Sequence, residues 1–326
     1  RFFIQLLPEV NLLGFFMTKQ DFSRFKVSVS EIDGLFSRPR GINMPSKTDL
    51  TKYDKILNLP GERTKEQLKF LRAVDDKIAL YNDPPLSKTI ISSLIKQYGR
   101  IIYNKKTAAI GEAFSFFVKG TELEQEAVSL LSKIDKRNYT LITENTENEY
   151  LIGRCDILDE KRGKIIDLKV SWNVNSFLIA KTTPLDKKYW YQMQGYMEIY
   201  NVDEAEVVFL LLNTPPELIE REKIKLQNRF MVGEIDREKY ELDMDNIESA
   251  FTYNNVPLKK RYIRCKVQRE PKIFETVYRK VQKAREWMVE FHKEMDKTIF
   301  VVPSEKYFDP EKNYTEPDTS EPLQGD

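Results

Sequence analysis

The chain contains very few of the two side chains on which many catalytic and metal sites depend. Its 326 residues include one histidine, His292, and two cysteines, Cys155 and Cys265. Two cysteines exclude an iron–sulfur cluster held by four cysteines of this chain. A single histidine leaves histidine-based nucleophilic catalysis and histidine-rich zinc sites without support. We expect Cys155 to be a small core residue, His292 to pack within a helical segment, and no structural disulfide to form.

Net charge and long apolar runs are also scarce. The 52 Lys and Arg residues nearly balance the 51 Asp and Glu residues, which leaves a net charge of +1. Any surface that binds nucleic acid must therefore concentrate its cations locally. The apolar segment 1–17 is interrupted by polar residues and is too short to span a membrane. Since 41% of residues are hydrophobic and 12% aromatic, we expect a globular, soluble, cytoplasmic protein without a membrane partner.

The most informative part of the sequence is segment 153–169, in which two short apolar runs flank a glycine-containing turn at 159–163. This pattern predicts a β-hairpin. Asp167 and Lys169 are two residues apart on one strand, so their side chains lie on the same face. If Asp156 faces the same way, two carboxylates form an oxygen site for Mg²⁺, beside a lysine that can hold or help deprotonate a water. Taken alone, the segment is explained equally well as an edge hairpin with solvated charges.

Three neighbouring segments favour the metal site. Glu124 lies at the edge of the apolar stripe of a predicted helix that precedes the hairpin. After the hairpin, Gln192 and Tyr196 are four residues apart and therefore stand on one face of a second predicted helix. Segment 206–213 is a continuous apolar run, which is typical of a central buried strand.

These residues resemble the motifs of a known nuclease superfamily. Asp156 and the run Asp167-Leu168-Lys169 resemble the PD-(D/E)xK motif, and Gln192-x-x-x-Tyr196 resembles a motif of its RecB-like group. Glu124 falls at the glutamate position of the helix found in lambda-type exonucleases. The four motifs occur in the family's order over residues 108–213, so the chain resembles the YqaJ/lambda-exonuclease branch. The resemblance implies an α/β fold with a central mixed β-sheet flanked by helices, a restriction-endonuclease-like core, and a helical N-terminal insertion.

The resemblance also implies roles for the motif residues. Asp156 and Asp167 would bind Mg²⁺ or Mn²⁺, Glu124 would complete the site directly or through water, and the Leu168 carbonyl would be a further ligand. Lys169 would position the attacking water. Gln192 would orient a ligand or the scissile phosphate, with Tyr196 packed beside it.

The activity that the resemblance implies is exonucleolytic digestion of linear double-stranded DNA in a bacterial or phage-infected cell. Implied partners are a single-strand annealing protein and further copies of the chain in a trimeric ring. Two other hypotheses stay open: an endonuclease that uses the same site, and a catalytically silent nuclease-like module that binds DNA or a recombination partner.

Candidate DNA contacts lie in two regions. Ser30 resembles the serine at the early helix start of these exonucleases, and it would be an N-cap. The family's next residue is an arginine, whereas this chain has Glu31, which would repel a phosphate. Arg24, Arg38 and Arg40 are therefore the replacement candidates. The second region is at the start of the helix of Gln192, where the candidates are Lys187, Lys188 and Gln194.

We divide the chain into four parts. Residues 1–40 are predicted to be the N-terminal part of the nuclease domain, and residues 41–107 a mostly helical insertion. Residues 108–300 are predicted to form the nuclease core with a packing helix at 273–297. Residues 301–326 have the composition of a poorly ordered tail.

Overall fold

The four-stranded sheet that carries the hairpin also contains the predicted buried strand. The computed structural model describes residues 21–103 and 113–297, so the predictions for residues 1–17 and 301–326 fall outside the described residues. The strands, in chain order, are β1 (Val27–Ser28), β2 (Thr146–Glu147), β3 (Leu151–Gly153), β4 (Ile157–Asp159), β5 (Lys164–Val170), β6 (Glu204–Leu210) and β7 (Tyr262–Gln268).

Helices surround the strands. They are α1 (Ile32–Leu35), α2 (Lys47–Leu57), α3 (Lys65–Asn82), α4 (Lys88–Tyr103), α5 (Ala113–Glu122), α6 (Glu124–Asp135), α7 (Val174–Thr182), α8 (Lys187–Tyr200), α9 (Pro216–Met231), α10 (Arg237–Ala250) and α11 (Lys272–Met295). None of the helices in the described ranges is long and apolar enough to cross a membrane.

The larger sheet has the strand order β4-β5-β6-β7. Strands β4 and β5 form the predicted antiparallel hairpin, whose turn ends at Gly163 with a φ of 61° that suits glycine. Strands β5 and β6 are parallel and are joined by a crossover that contains α7 and α8. Strand β7 is antiparallel to β6 and lies at the edge. The predicted mixed α/β sheet with a buried strand at β6 is confirmed.

Apolar side chains of β5 and β6 alternate between the two faces of the sheet, and both faces are buried. Ile165 and Val207 belong to a core cluster shared with α8 and α11, whereas Ile166 and Val208 belong to a second cluster shared with α6. Neighbouring side chains on a strand point to opposite faces. Because helices cover both faces, β6 reads as a continuous apolar run.

A smaller sheet with the order β1-β3-β2 lies against α8. Strand β3 is parallel to β1 and antiparallel to β2. It leads through Arg154 and Cys155 into Asp156, immediately before β4. Cys155 is fully buried and unbridged, as expected.

The helices predicted between residues 41 and 107 are present as α2, α3 and α4. Helix α3 begins at the cap residue Thr64, whose side chain forms a capping box with Gln67. Helix α4 buries Leu94 and Tyr98 in the same cluster as α8 and α11. His292 of α11 contacts the Tyr98 hydroxyl through Nδ1 at 3.0 Å, so it is a packing residue. The division of the chain into domains stays a prediction.

The segment after Pro215 contains two helices that were not predicted from the sequence. Helices α9 and α10 form a pair, and most of their side chains are exposed. Buried positions such as Leu218, Leu226 and Ile247 are few. So narrow an apolar stripe gives only a weak periodic signal. The long helix predicted at 273–297 is confirmed as α11.

Gly195 lets α8 lie unusually close to the N-terminal segment. A Cβ atom at this position would overlap Ile32 Cδ1 and would lie 3.0 Å from Val29 Cγ1. Both neighbours are fully buried and have little room to move. The glycine is therefore required by packing, on the helix that also carries Gln192 and Tyr196.

We predict that Gly195→Ala destabilises the protein by about 1–3 kcal/mol, because it overpacks this contact. The matched control is Gly99→Ala in α4, where an added Cβ meets nothing within 4 Å. That change should be neutral or stabilise by up to about 1 kcal/mol, since alanine is the better helix former. Urea unfolding followed by circular dichroism gives both free energies, and equal values for the two variants would contradict the packing argument.

Candidate active site

Asp167 and Lys169 meet on one face of β5. Asp167 is 2% exposed, and Lys169 Nζ lies 2.6 Å from Asp167 Oδ2. This contact is an ion pair, and Asp167 Oδ2 accepts no well-aligned hydrogen bond. Lys169 Nζ also lies 5.1 Å from the centre of the Tyr189 ring. The alternation of the strand thus places a buried carboxylate and an ammonium group side by side, as the spacing predicts.

Asp156 reaches the same place from the neighbouring strand. The paired residues of β4 and β5 end at Ile157 and Ile166. Beyond that point the amide of Leu168 has no strand partner on this side, and it donates to Asp156 Oδ2 at 2.6 Å. The Asp156 side chain therefore replaces the missing strand and holds its carboxylate beside Asp167 and Lys169.

Gln192 and Tyr196 stand on one face of α8, as their spacing predicts. Gln192 Nε2 donates to the Tyr196 hydroxyl at 3.2 Å. Both side chains are largely buried. Burial, followed by the negative charge of Asp167, raises the pKa of Tyr196 far above its usual value, so the phenol stays protonated.

These side chains surround a pocket of about 530 Å³ at the end of β5. Its wall includes six residues that the sequence predicts for the site, namely Ser30, Glu124, Asp156, Leu168, Lys169 and Gln192. Asp167 lies behind Lys169. Lys188, at the start of α8, lines the pocket as well. A larger depression of about 620 Å³ near Arg137 and Lys161 contains none of the motif residues.

Glu124 begins α6 at the pocket wall. It is partly exposed, and its Oε2 lies 3.7 Å from Arg154 Nη2. Among the described residues, no three His, Cys, Asp or Glu side chains lie close enough together to hold a metal ion. Glu124 is thus in the same pocket as Asp156 without joining it at ligand distance.

Burial and like charge perturb the acids of this site. Burial, then the neighbouring Asp167 carboxylate, raises the pKa of Asp156 from 3.8 to about 7. Burial alone would lower the pKa of Lys169, but the Asp167 carboxylate outweighs it and raises that pKa. Lys169 therefore stays charged at neutral pH, while Asp156 holds its proton at unusually high pH.

The donor atoms fit a small hard cation. Asp156 and Leu168 line the pocket, and the neighbouring Asp167 has a buried oxygen that lacks a well-aligned hydrogen bond. Carboxylate and carbonyl oxygens are the ligands that Mg²⁺ prefers. A cation would also relieve the repulsion that raises the pKa of Asp156.

The predicted DNA contacts are distributed unevenly. Ser30 and Lys188 line the pocket, and Lys187 is exposed next to Lys188. Arg40 is exposed outside the pocket lining. Arg38 lies elsewhere, stacked on the ring of Tyr81 at 3.7 Å.

Two predictions about this region are wrong. Gln194 is 0% exposed, its Nε2 donates to the Gln268 carbonyl at 2.8 Å, and its Oε1 accepts from the Glu270 amide at 2.8 Å. It therefore joins α8 to the end of β7 and is not placed to contact DNA. Ser30 is not an N-cap, because α1 begins after Glu31; the Ser30 hydroxyl contacts that of Ser28 at 2.9 Å.

Three further residues at the pocket were not predicted from the sequence. Ser171 follows Lys169 by two residues, and Tyr189 precedes Gln192 by three, so periodicity alone would have indicated both. Lys119 has no such local signal. Its buried Nζ donates to the carbonyl of Trp172 in the pocket wall at 2.9 Å, and burial lowers its pKa to about 7.

Comparisons with known proteins agree with this architecture. No family model matches the chain, and no curated protein matches it. Among solved structures, a phage-related exonuclease from Haemophilus somnus 129PT matches with 22% identity and a TM-score of 0.54, over 83% of this chain and 97% of that one. An alkaline exonuclease from Laribacter hongkongensis matches with 12% identity and a TM-score of 0.44, over 85% of this chain and 94% of that one. The chain therefore has the fold of the phage-related exonuclease, which confirms the nuclease-like α/β core predicted from its motifs.

Proposed function

We propose that this chain is a metal-dependent deoxyribonuclease that digests linear double-stranded DNA from an end, with Mg²⁺ as its ion and Mn²⁺ as an alternative. The observation that carries the proposal is that Asp156 and Lys169 line one pocket, with the buried Asp167 carboxylate 2.6 Å from Lys169 Nζ. The fold shared with a phage-related exonuclease favours attack from an end over internal cleavage. A role in recombination, repair or phage DNA processing, an annealing-protein partner and a ring of copies belong to the same proposal by analogy.

Each residue would contribute in a defined way. Asp156 and Asp167 would hold the cation, with the Leu168 carbonyl as a further ligand and Glu124 acting through a water molecule. When bound, the ion would supply positive charge to the phosphate and make water a better nucleophile at neutral pH.

Lys169 would place its ammonium group beside the attacking water and offset the charge that develops on the phosphate. Asp167 keeps this ammonium group charged and fixes its position. Gln192, held by the Tyr196 hydroxyl, would orient the scissile phosphate at the pocket wall. The other DNA contacts that we propose beside the pocket are Ser30, Lys187 and Lys188, with Arg40 farther out.

The rival hypothesis is a nuclease-like module that only binds DNA or a recombination partner. Two carboxylates next to a DNA phosphate, one of them buried and one half-buried, would weaken such binding by like-charge repulsion. They become favourable when a cation lies between them and the phosphate. The charge pattern of the pocket therefore supports an enzyme.

We predict that Asp167→Asn abolishes Mg²⁺-dependent loss of linear duplex DNA, because it removes a cation ligand and the partner of Lys169. Lys169→Ala should lower the rate on the order of 100- to 1,000-fold, by loss of charge stabilisation. Gel assays with end-labelled duplex measure both rates. Asp203→Asn, an exposed carboxylate just before β6, is the matched control and should leave the rate unchanged. Wild-type activity in a folded Asp167→Asn protein would remove the basis for this site.

A second prediction concerns pH and metal ions. The pKa of Asp156 in the folded chain, about 7, lies above its usual value of 3.8. The stability that protonated Asp156 contributes is complete below about pH 4 and is lost as pH rises through 7. A cation binds only the deprotonated carboxylate. Saturating Mg²⁺ should therefore raise the melting temperature more at pH 8 than at pH 6.

Scanning calorimetry with and without Mg²⁺ measures this difference. Asp156→Asn should lose most of the Mg²⁺-induced rise, and what remains should be the same at both pH values. Equal rises at pH 6 and pH 8 in the wild-type protein would show that Asp156 does not control metal binding.

A third prediction separates exonuclease from endonuclease. An enzyme that needs an end should degrade linear plasmid in Mg²⁺ and leave covalently closed circles intact. Both substrates are incubated in the same reaction and separated on an agarose gel, so each serves as the control for the other. Opening of the closed circles at a rate similar to the loss of linear DNA would favour the endonuclease.

A further inference from the structure

Four basic side chains meet outside the pocket, where the segment after α1, the α3–α4 loop and helix α11 come together. This basic cluster consists of Arg38, Arg279, Lys280 and Lys283. Arg279, Lys280 and Lys283 are neighbours on α11, whereas Arg38 is separated from them by more than 200 positions in the chain. The fold has therefore brought like charges together.

Backbone carbonyls hold much of the basic cluster in place. Lys280 Nζ donates to the Leu35 carbonyl at 2.5 Å. Arg38 Nη1 donates to the Tyr81 carbonyl at 2.8 Å, and its guanidinium stacks on that ring. Carbonyl oxygens fix the positions of these cations without neutralising them.

The charges in the basic cluster do not balance. Within residues 21–103 and 113–297, Asp83 is the one carboxylate that forms ion pairs with it, at 3.4 Å from Arg279 and 2.7 Å from Lys283. Lys280 is 9% exposed. Burial, then the charges of Arg38, Lys283 and Arg279, lower its pKa. Four cations around one carboxylate repel each other in the folded chain, and a bound anion would relieve that repulsion.

A stacked aromatic pair connects the basic cluster to the pocket. The ring of Phe36 lies 4.2 Å from that of Tyr191, centre to centre, and Tyr191 is next to the pocket residue Gln192. On the other side, Lys280 Nζ lies 5.9 Å from the centre of the Phe36 ring. Lys188, three residues before Tyr191, lines the pocket. Both rings also pack against the core cluster that α8 and α11 share, so they join the two sites through packed side chains.

We propose that the basic cluster binds a phosphate of the DNA strand whose scissile bond occupies the pocket. This assignment rests on the proposed function, since it extends the path of the same substrate. The ligand is a phosphate group, either the monoester at a strand end or a diester farther along the backbone. Exposed Arg38 and Arg279 would contact its oxygens, while buried Lys280 supplies charge beneath them.

The test measures DNA binding without hydrolysis. All proteins carry Asp167→Asn, and the dissociation constant for a short duplex is determined between 50 and 200 mM KCl. Adding Arg38→Gln and Arg279→Gln should weaken binding at 100 mM salt on the order of tenfold for each phosphate that the protein no longer neutralises. The slope of log affinity against log salt should fall by about 0.9 for each such phosphate.

Two controls separate a phosphate site from a structural one. Asp83→Asn keeps all four cations but removes the competing carboxylate, so it should tighten DNA binding. Lys293→Gln removes one charge from an exposed position of the same helix and should change neither affinity nor slope. If Asp83→Asn and the double arginine variant lower the melting temperature alike while affinity and slope stay constant, the cations only fasten the α3–α4 loop, and the proposal is overturned.

Substrates with and without a 5′ phosphate identify the source of the phosphate. A loss of affinity confined to the phosphorylated duplex assigns the site to the strand end, whereas an equal loss for both duplexes assigns it to an internal diester.

The outcomes also separate this proposal from the proposed function. If the arginine substitutions lower the slope of log affinity against log salt but the wild-type protein does not hydrolyse DNA, the proposed function fails and the phosphate site stands. Hydrolysis with an unchanged slope defeats the phosphate site alone. Absence of DNA binding in the Asp167→Asn parent defeats both.

Discussion

The burial of two carboxylates beside each other is the constraint on which the rest of this structure depends. Asp156 and Asp167 repel each other in a partly desolvated setting, and the cost appears as the raised pKa of Asp156. One ammonium group, Lys169, and one backbone amide, that of Leu168, offset part of this cost. Once Asp156 has lost its proton, the site has a surplus of negative charge, which a divalent cation can neutralise. Such a surplus is expensive for folding and useful for binding a metal ion.

The surrounding scaffold explains how such a site stays in place. Strand β5 is paired with β6 over its whole length, so the positions of Asp167 and Lys169 are set by sheet register and not by a loop. Helix α8 packs against the same sheet face, and Gly195 allows it to approach the N-terminal segment closely. Side chains on rigid elements hold a reactive geometry better than side chains on loops do. Gln194 belongs to this scaffold, since it joins α8 to the chain after β7.

Local periodicity predicts much of this molecule, and its failures have physical causes. Helix α11 was predicted from its regular apolar stripe and strand β6 from its continuous apolar run. The α9–α10 pair was missed because it buries few side chains. Gln194 was misassigned because residues two apart on a helix face different ways: when Gln192 faces the pocket, Gln194 faces the core. Spacing was informative where both residues lie on one element, because it then fixes which face each side chain occupies. This holds for Asp167 and Lys169 on β5 and for Gln192 and Tyr196 on α8. The contact of Glu124 with Arg154 and that of Lys280 with the Leu35 carbonyl join distant segments, and no local pattern encodes them.

The near balance of charges in the sequence conceals how the cations are distributed. Many lysines and arginines are paired with carboxylates on their own helix, as Lys239 is with Asp243, and such cations are already neutralised. Others donate to backbone carbonyls instead, which leaves their charge available. Arg285 is a buried example: it donates to the carbonyls of Phe25 and Glu149, although the Glu149 carboxylate also lies 3.7 Å from its Nη1. Lys280 uses the same kind of contact, but exposed Arg38 and Arg279 lie beside it. A chain with a net charge of +1 can therefore present a strongly positive surface wherever carbonyl oxygens, and not carboxylates, hold its cations.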